Sequence, residues 1–260
     1  MSATGFTGIV VIVLFVGFMV FFTIISKDRE SDNIRPISGY QKIIEEINVA
    51  VEDGSQLHIS LGRGGISGPD AAAGFAGLSL LKQVIERSSM CDHPPVASTG
   101  NAVLSILAQD TIQGTSKAIS VSDQIRNPSG ELVGVTPFSY AVGTLTTIRD
   151  DSVSANVYTG WFGNEVTWMT TAGERQSSPT IAGTAQLPAQ AIMYASASDP
   201  LIGEDLYAGG AYLGAGPMHL ASISAQDVIR WIIIALILIS VLLNLVGINT
   251  FIEDVLAGSM

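Results

Sequence analysis

Twenty consecutive uncharged residues, Phe6 to Ile25 (FTGIVVIVLFVGFMVFFTII), restrict what this chain can fold into more than any other feature. A helix rises about 1.5 Å per residue, so such a run matches a bilayer's hydrocarbon core of about 30 Å. A second run, Trp231 to Ile248 (WIIIALILISVLLNLVGI), has Ser240 and Asn244 as its only polar interruptions. Ser240 can bond back to its own helix and Asn244 to a neighbouring helix. Length, β-branched density and sharp charged boundaries separate both runs from buried core helices. The first run also lacks the marks of a cleaved signal peptide. Met1 to Gly5 holds no Lys or Arg, and no small-x-small site precedes Lys27. It reads as an uncleaved anchor.

Two such spans divide the 260 residues into five parts. These are a tail at 1–5, a first membrane helix at 6–26, one domain at 27–226, a second membrane helix at 227–249 and an acidic tail at 250–260. Only 13% of the chain is charged and 47% is hydrophobic, against about 25% charged in ordinary soluble domains. Twelve Lys and Arg stand against 23 Asp and Glu, a net charge of −11, which argues against nucleic acid as a partner. The single cysteine, Cys91, excludes an intrachain disulfide and any zinc cluster built on cysteines.

Orientation follows from the basic residues nearest the spans. Lys27, Arg29, Arg35 and Lys42 follow the first run and Arg230 abuts the second, whereas only Glu253 and Asp254 lie beyond it. This predicts an integral protein of the plasma (inner) membrane, with a cytoplasmic central domain and both termini outside.

Between the runs, helical and strand patterns alternate. Ile37, Tyr40, Ile43, Ile44, Ile47, Ala50 and Val51 form a helical stripe that Asp53-Gly54 ends, and Leu57, Ile59 and Leu61 alternate as a strand. A helix is expected from an Asp70 N-cap to about Ser88, a strand at Val96–Thr99, and a helix capped by Asn101. Further on, Tyr140 to Arg149 and Glu165 to Arg175 read as helices, and Val153–Val157 and Thr180–Thr184 as strands. Residues 187–214 read as two helices broken at Asp199-Pro200, and Ser224-Ala-Gln-Asp227 resembles a capping box opening the last helix. The fold class expected is a layered α/β domain with a largely parallel sheet, inserted between two transmembrane helices.

Glycines recur just after the predicted strands. Leu57–Leu61 runs into Gly62-Arg-Gly-Gly-Ile-Ser-Gly68, Val96–Thr99 into Gly100, and the strand from Val153 into Gly160 and Gly163. In a parallel sheet these strand ends share the edge at which ligands bind, and helix N-termini there can receive an anion. Candidate ligand residues are therefore Gly62, Arg63, Gly64, Gly65, Gly100 and Gly160, with Arg63 supplying positive charge. The loop departs from a dinucleotide fingerprint, having Ser67 where the third glycine belongs, and there is no Gly-Lys-Ser/Thr phosphate loop. The competing reading makes these glycines turn and cap residues that need positive φ.

Other candidate clusters are weaker. His58 lies within an apolar strand and reads as a satisfied core or face residue. Cys91-Asp92-His93 offers too few ligands for a closed metal site. Glu204-Asp205 and Asp150-Asp151 are paired acids that read as solvated helix ends. No nucleophile elbow or His-Glu-x-x-His helix appears, so no enzyme activity, metal or cofactor is expected. The small-residue stretches Ala71–Gly77 and Ala208–Gly216 allow close helix approach within the domain or between protomers.

Longer patterns carry a resemblance. They are Ala50-Val-Glu-Asp-Gly54 with His58-Ile-Ser-Leu-Gly62, Pro94-Pro-Val-Ala-Ser-Thr-Gly100 and Ala108-Gln-Asp-Thr111. Val153-Ser-Ala-Asn-Val157, Ile181-Ala-Gly-Thr184, Leu201-Ile-Gly-Glu-Asp-Leu-Tyr-Ala208 and Ala225-Gln-Asp-Val228 continue them. On these the chain resembles an uncharacterised prokaryotic membrane family with a domain of unknown function between two spans. The resemblance implies one domain and two spans, and no catalytic residues. Two functions are then expected. The first is a non-enzymatic membrane scaffold or subunit, assembling as a homo-oligomer or with a membrane partner through its acidic domain. The second is a membrane-tethered sensor that binds a nucleotide or other anion at the glycine-edged crevice.

Overall fold

The computed structural model describes residues 3–25, 34–88, 93–119 and 130–245. Lys27, Arg29, Cys91, Asp92, Glu253 and Asp254, named above, lie outside the described residues, as does the acidic tail. The chain divides into two compact units, one of residues 1–30 with 216–260 and one of residues 31–215.

The first unit contains helices α1 (Ala3–Ile25) and α9 (Pro217–Leu245), which are in contact. On α1, Phe15, Phe18, Met19 and Phe22 are the half-buried apolar residues, spaced at three and four positions as in a packing stripe. Among the described residues only α9 is long and apolar enough to cross a membrane, and α1 contributes a shorter apolar segment, Gly8–Ile24. The second helix starts ten residues before the expected boundary at 227, at Pro217. Ser224 is consequently interior rather than a cap, and its hydroxyl bonds back to the Leu220 carbonyl at 3.2 Å. Pro217 needs no N–H partner at a first helical turn, which makes it the better start.

The second unit is an α/β domain around a six-stranded sheet in the order β3-β2-β1-β4-β5-β6. Its strands are β1 (Gln56–Gly62), β2 (Val96–Thr99), β3 (Gly130–Leu132), β4 (Val153–Trp161), β5 (Thr180–Thr184) and β6 (Asp199–Leu201). Every adjacent pair is parallel, so the expected parallel sheet is present.

Helices α2 (Ser38–Asp53), α3 (Ala71–Arg87) and α4 (Ala102–Ala118) bury their apolar stripes in one core. Leu57, Ile59, Leu61, Ala155, Val157, Ile181 and Leu201 enter that core from the sheet. Helices α5 (Pro137–Ile148), α6 (Val166–Arg175) and α7 (Leu187–Ser196) form a second core with Tyr158, Phe162 and Ala182. Period-two alternation sends successive strand residues to opposite faces. Because helices cover both faces, the polar alternates of β1 are buried as fully as the leucines.

Local chemistry sets many boundaries. Gly54, at φ 69°, ends α2 in the left-handed conformation that glycine tolerates. The Asn101 side chain accepts from the N–H groups of Val103 (3.0 Å) and Leu104 (3.1 Å), the expected N-cap of α4. Asp70 departs from expectation. It makes no side-chain cap to α3, and its carboxylate instead accepts from Gly65 N–H at 2.6 Å.

The expected break at Asp199-Pro200 is itself the edge strand β6, followed by a 3-10 turn (Gly203–Ala208) and the short α8 (Gly209–Tyr212). Proline is tolerated there because an edge strand can do without one N–H partner. The edge strand β3 has three residues, too few to display an alternation in the sequence. It is held from α4, with Ser105 Oγ and Gln109 Nε2 donating to the Gly130 carbonyl at 2.8 and 2.9 Å.

Candidate functional site

Strand order reverses once, between β1 and β4. From β1 the chain steps outward through β2 to β3, then crosses to β4 and steps the other way. At such a point, helices before and after the crossover diverge to opposite faces, and ligands of doubly wound sheets bind at the carboxyl ends of the strands there. The glycine-rich loop after β1 and the Phe162–Glu165 turn after β4 flank this point.

The six candidate residues gather at this edge. Gly62 has φ 74°, and its carbonyl accepts from Gly100 N–H at 2.9 Å and from the Thr99 hydroxyl at 3.0 Å. Arg63 N–H donates to the Trp161 carbonyl at 2.9 Å, tying the loop to β4. A Cβ at Gly64 would stand 2.9 Å from that of Trp161, and one at Gly100 would collide with the Arg63 Cγ. Gly160 sits where β4 presses on the Leu61 backbone, at a register shift between β1 and β4. Of the six, Gly62 and Gly160 combine positive φ with close backbone approach, whereas Gly64 and Gly100 are needed for close approach alone. A Cβ on Gly65 would meet only ordinary contacts, so what this residue supplies is its N–H to Asp70.

Arg63 is the only basic residue in the loops that follow the six strands. Its stem runs past Gly100, and its Nε donates to Glu165 Oε1 at 2.7 Å. The Arg63 side chain is 23% exposed and that of Glu165 only 5%. The same Glu165 oxygen accepts from Gly163 N–H at 3.0 Å. Burial pushes the Glu165 carboxyl up. The Arg63 guanidinium and the backbone N–H groups outweigh that and leave it below its ordinary range. Glu165 was not among the sequence candidates. It is 102 positions from Arg63, and only its place at the turn after a glycine-ended strand hinted at a role.

Beneath this edge runs a buried polar chain. His58 is fully buried, with Nδ1 2.8 Å from Asn156 Oδ1 and Nε2 2.7 Å from Ser98 Oγ. Ser98 Oγ is 3.2 Å from Ser60 Oγ, which bonds the Tyr140 hydroxyl, and Gly62 N–H donates to that hydroxyl at 3.1 Å. At the other end Asn156 Nδ2 donates to Ser178 Oγ at 3.0 Å.

Burial lowers the His58 pKa to about 4 and raises that of Tyr140 to about 12, so both are neutral near pH 7. A carbonyl oxygen can only accept, so a neutral His58 carries its proton on Nδ1 and takes the Ser98 hydroxyl proton at Nε2. His58 is thus satisfied on both nitrogens, in keeping with a core role.

In each pair of acids at least one member has a partner. Asp205 accepts from Arg35 at 2.9 Å, and Asp150 from the Ser152 N–H and hydroxyl at 2.9 and 2.8 Å. Among the described residues, no three His, Cys, Asp or Glu side chains come together as a metal site. No curated protein and no solved structure matches the chain. A family does match, over residues 2–255 and so across both units. The chain belongs to the family described as a domain of unknown function (DUF6754).

Proposed function

We propose that this chain is a membrane-tethered sensor whose α/β domain binds a phosphate-bearing ligand of the nucleotide class at the carboxyl ends of β1 and β4, where the strand order reverses. One observation carries the reading. The single reversal of a six-stranded parallel sheet coincides with a glycine-rich loop bearing Arg63, the one cation of that edge among the described residues. Doubly wound sheets use this point for phosphates because backbone N–H groups and a guanidinium converge without covering side chains. Residues Gly62, Gly64 and Gly100 keep the backbone bare there, and Gly65 and Gly163 present N–H groups.

The test is a thermal unfolding series on the full chain in mild detergent, with ADP and with inorganic pyrophosphate. Ligands that bind only the folded state raise its stability by about 2.7 kcal/mol at a hundredfold excess over Kd. The midpoint is expected to rise with ADP and to stay unchanged in Arg63→Gln. No shift at millimolar ADP or pyrophosphate overturns the reading. If light scattering then shows a multimer, the non-enzymatic scaffold takes its place.

In this reading both apolar helices are membrane spans, with the domain on the cytoplasmic side of the plasma (inner) membrane. The support is the length of α9, the apolar run of α1 and the flanking basic residues. Thr146 is exposed on α5 and reports the side. In a Cys91→Ser background, Thr146→Cys is expected to resist a membrane-impermeant maleimide in sealed cells and to react after permeabilisation. Rapid labelling in sealed cells reverses the orientation.

A further inference from the structure

Before any ligand arrives, the chain's own carboxylates already hold the groups an anion would use. Glu165 takes the Nε–H of Arg63 and the N–H of Gly163, and Asp70 takes the N–H of Gly65. These two acids come from different sides of the reversal, one at the start of α3 and one at the turn before α6. Glu165 is the more consequential, because it is almost wholly buried and neutralises the only cation of the edge among the described residues.

We infer that Glu165 is a latch on the ligand site, which a phosphate opens by taking Arg63 from it. This rests on the proposed phosphate-binding reading and adds to it the selectivity and regulation of the site. A guanidinium has five N–H donors in a planar fork, and the Glu165 bond uses only the one on Nε. An incoming phosphate can therefore approach Arg63 on its Nη side while Glu165 still holds it, then take the charge over. Two anions cannot share one guanidinium in a partly buried place without repulsion, so occupancy is a competition.

The competition sets a ligand class. A monoanion brings no more charge than the resident carboxylate and lacks its preplaced Gly163 N–H. A phosphate monoester or diphosphate, with about two negative charges and several acceptor oxygens, outbids it. The latch therefore rejects carboxylates and chloride and admits phosphate esters. Gly100 maintains the geometry, since a Cβ there would displace the Arg63 stem and take the guanidinium off Glu165.

Titration calorimetry of the full chain in detergent, with ADP as probe and acetate as the monoanionic control, tests this. Glu165→Gln is nearly isosteric and neutral, and its affinity for ADP is expected to rise at least tenfold. The gain should vanish when Arg63→Gln is added. Glu165→Asp keeps the charge but withdraws it by one methylene, and a smaller gain is expected. It serves as the second arm if Glu165→Gln lowers the unfolding midpoint enough to obscure binding. Acetate should bind measurably to Glu165→Gln and not to the native chain. If ADP binds the native chain through Arg63 but neither Glu165 variant gains affinity, the latch is wrong and the phosphate site stands. If ADP binds none of the chains, the site and the latch both fall.

Discussion

Gly160→Ala is expected to destabilise the domain by more than about 4 kcal/mol, or to prevent its folding altogether. Gly160 has φ 156°, and a Cβ built on it would overlap the Leu61 carbonyl, with the carbonyl carbon only 2.6 Å away. The obstacle is backbone in a central strand pair, so no side chain can rotate aside. Relief requires moving β1 from β4, the two strands at the centre of the sheet. Gly114→Ala is the matching control, because nothing lies within 4 Å of its added Cβ and it sits inside α4. There alanine should gain up to about 1 kcal/mol by lowering the entropy of the unfolded chain. Urea unfolding of the detergent-solubilised chain, followed by tryptophan fluorescence, compares the two. A Gly160→Ala midpoint within error of the native one would mean that the strands do not approach as described.

His58→Leu should cost about 2–3 kcal/mol in the same experiment. Leucine fills the space but leaves Asn156 Oδ1 without a partner, at about 1–3 kcal/mol for a buried orphan, and leaves the Ser98 hydroxyl with Ser60 Oγ alone, at 3.2 Å. The native chain also carries a pH signature. His58 titrates near 6.5 when unfolded and at about 4 when folded, so the unfolded state binds the extra proton between these values. Stability from this group is complete above the unfolded value, falls as pH drops from 6.5 towards 4, and is lost below that. The loss amounts to about 3 kcal/mol.

His58→Leu should therefore lower stability at pH 7 and flatten its pH dependence between 6.5 and 4. A variant with the native slope in that window would place the titrating group elsewhere.

How the candidate site could be read in advance differs from residue to residue. Gly62, Arg63, Gly64 and Gly65 stand next to a leucine alternation that marks a strand end, and Gly100 and Gly160 follow the same rule. Their common edge was legible because parallel strands must all end on one side. Glu165 was not legible as the partner of Arg63, nor Tyr140 as the partner of Ser60. Those contacts span 102 and 80 positions and leave no local periodicity. His58, between Leu57 and Ile59, was legible as a satisfied residue of an apolar strand, but its partners were not. Only the packing of α5–α7 on that face brings Tyr140 to the Ser60 side of the buried network.

By itself, the sequence determined what short-range chemistry decides. The apolar run of α9, the α2 stripe closed by Gly54, the Asn101 cap and the alternation of helix with strand all depend on residues within a turn or two. Parallel pairing followed, because helices between successive strands return the chain to the same edge. Tertiary structure alone decided the strand order and the point of its reversal, the edge strands β3 and β6, and the start of α9 ahead of the Ser224 pattern. It also joined Arg63 to Glu165. These outcomes turn on which distant segments bury each other's surface and satisfy each other's polar groups, a competition among long-range contacts that no local spacing encodes.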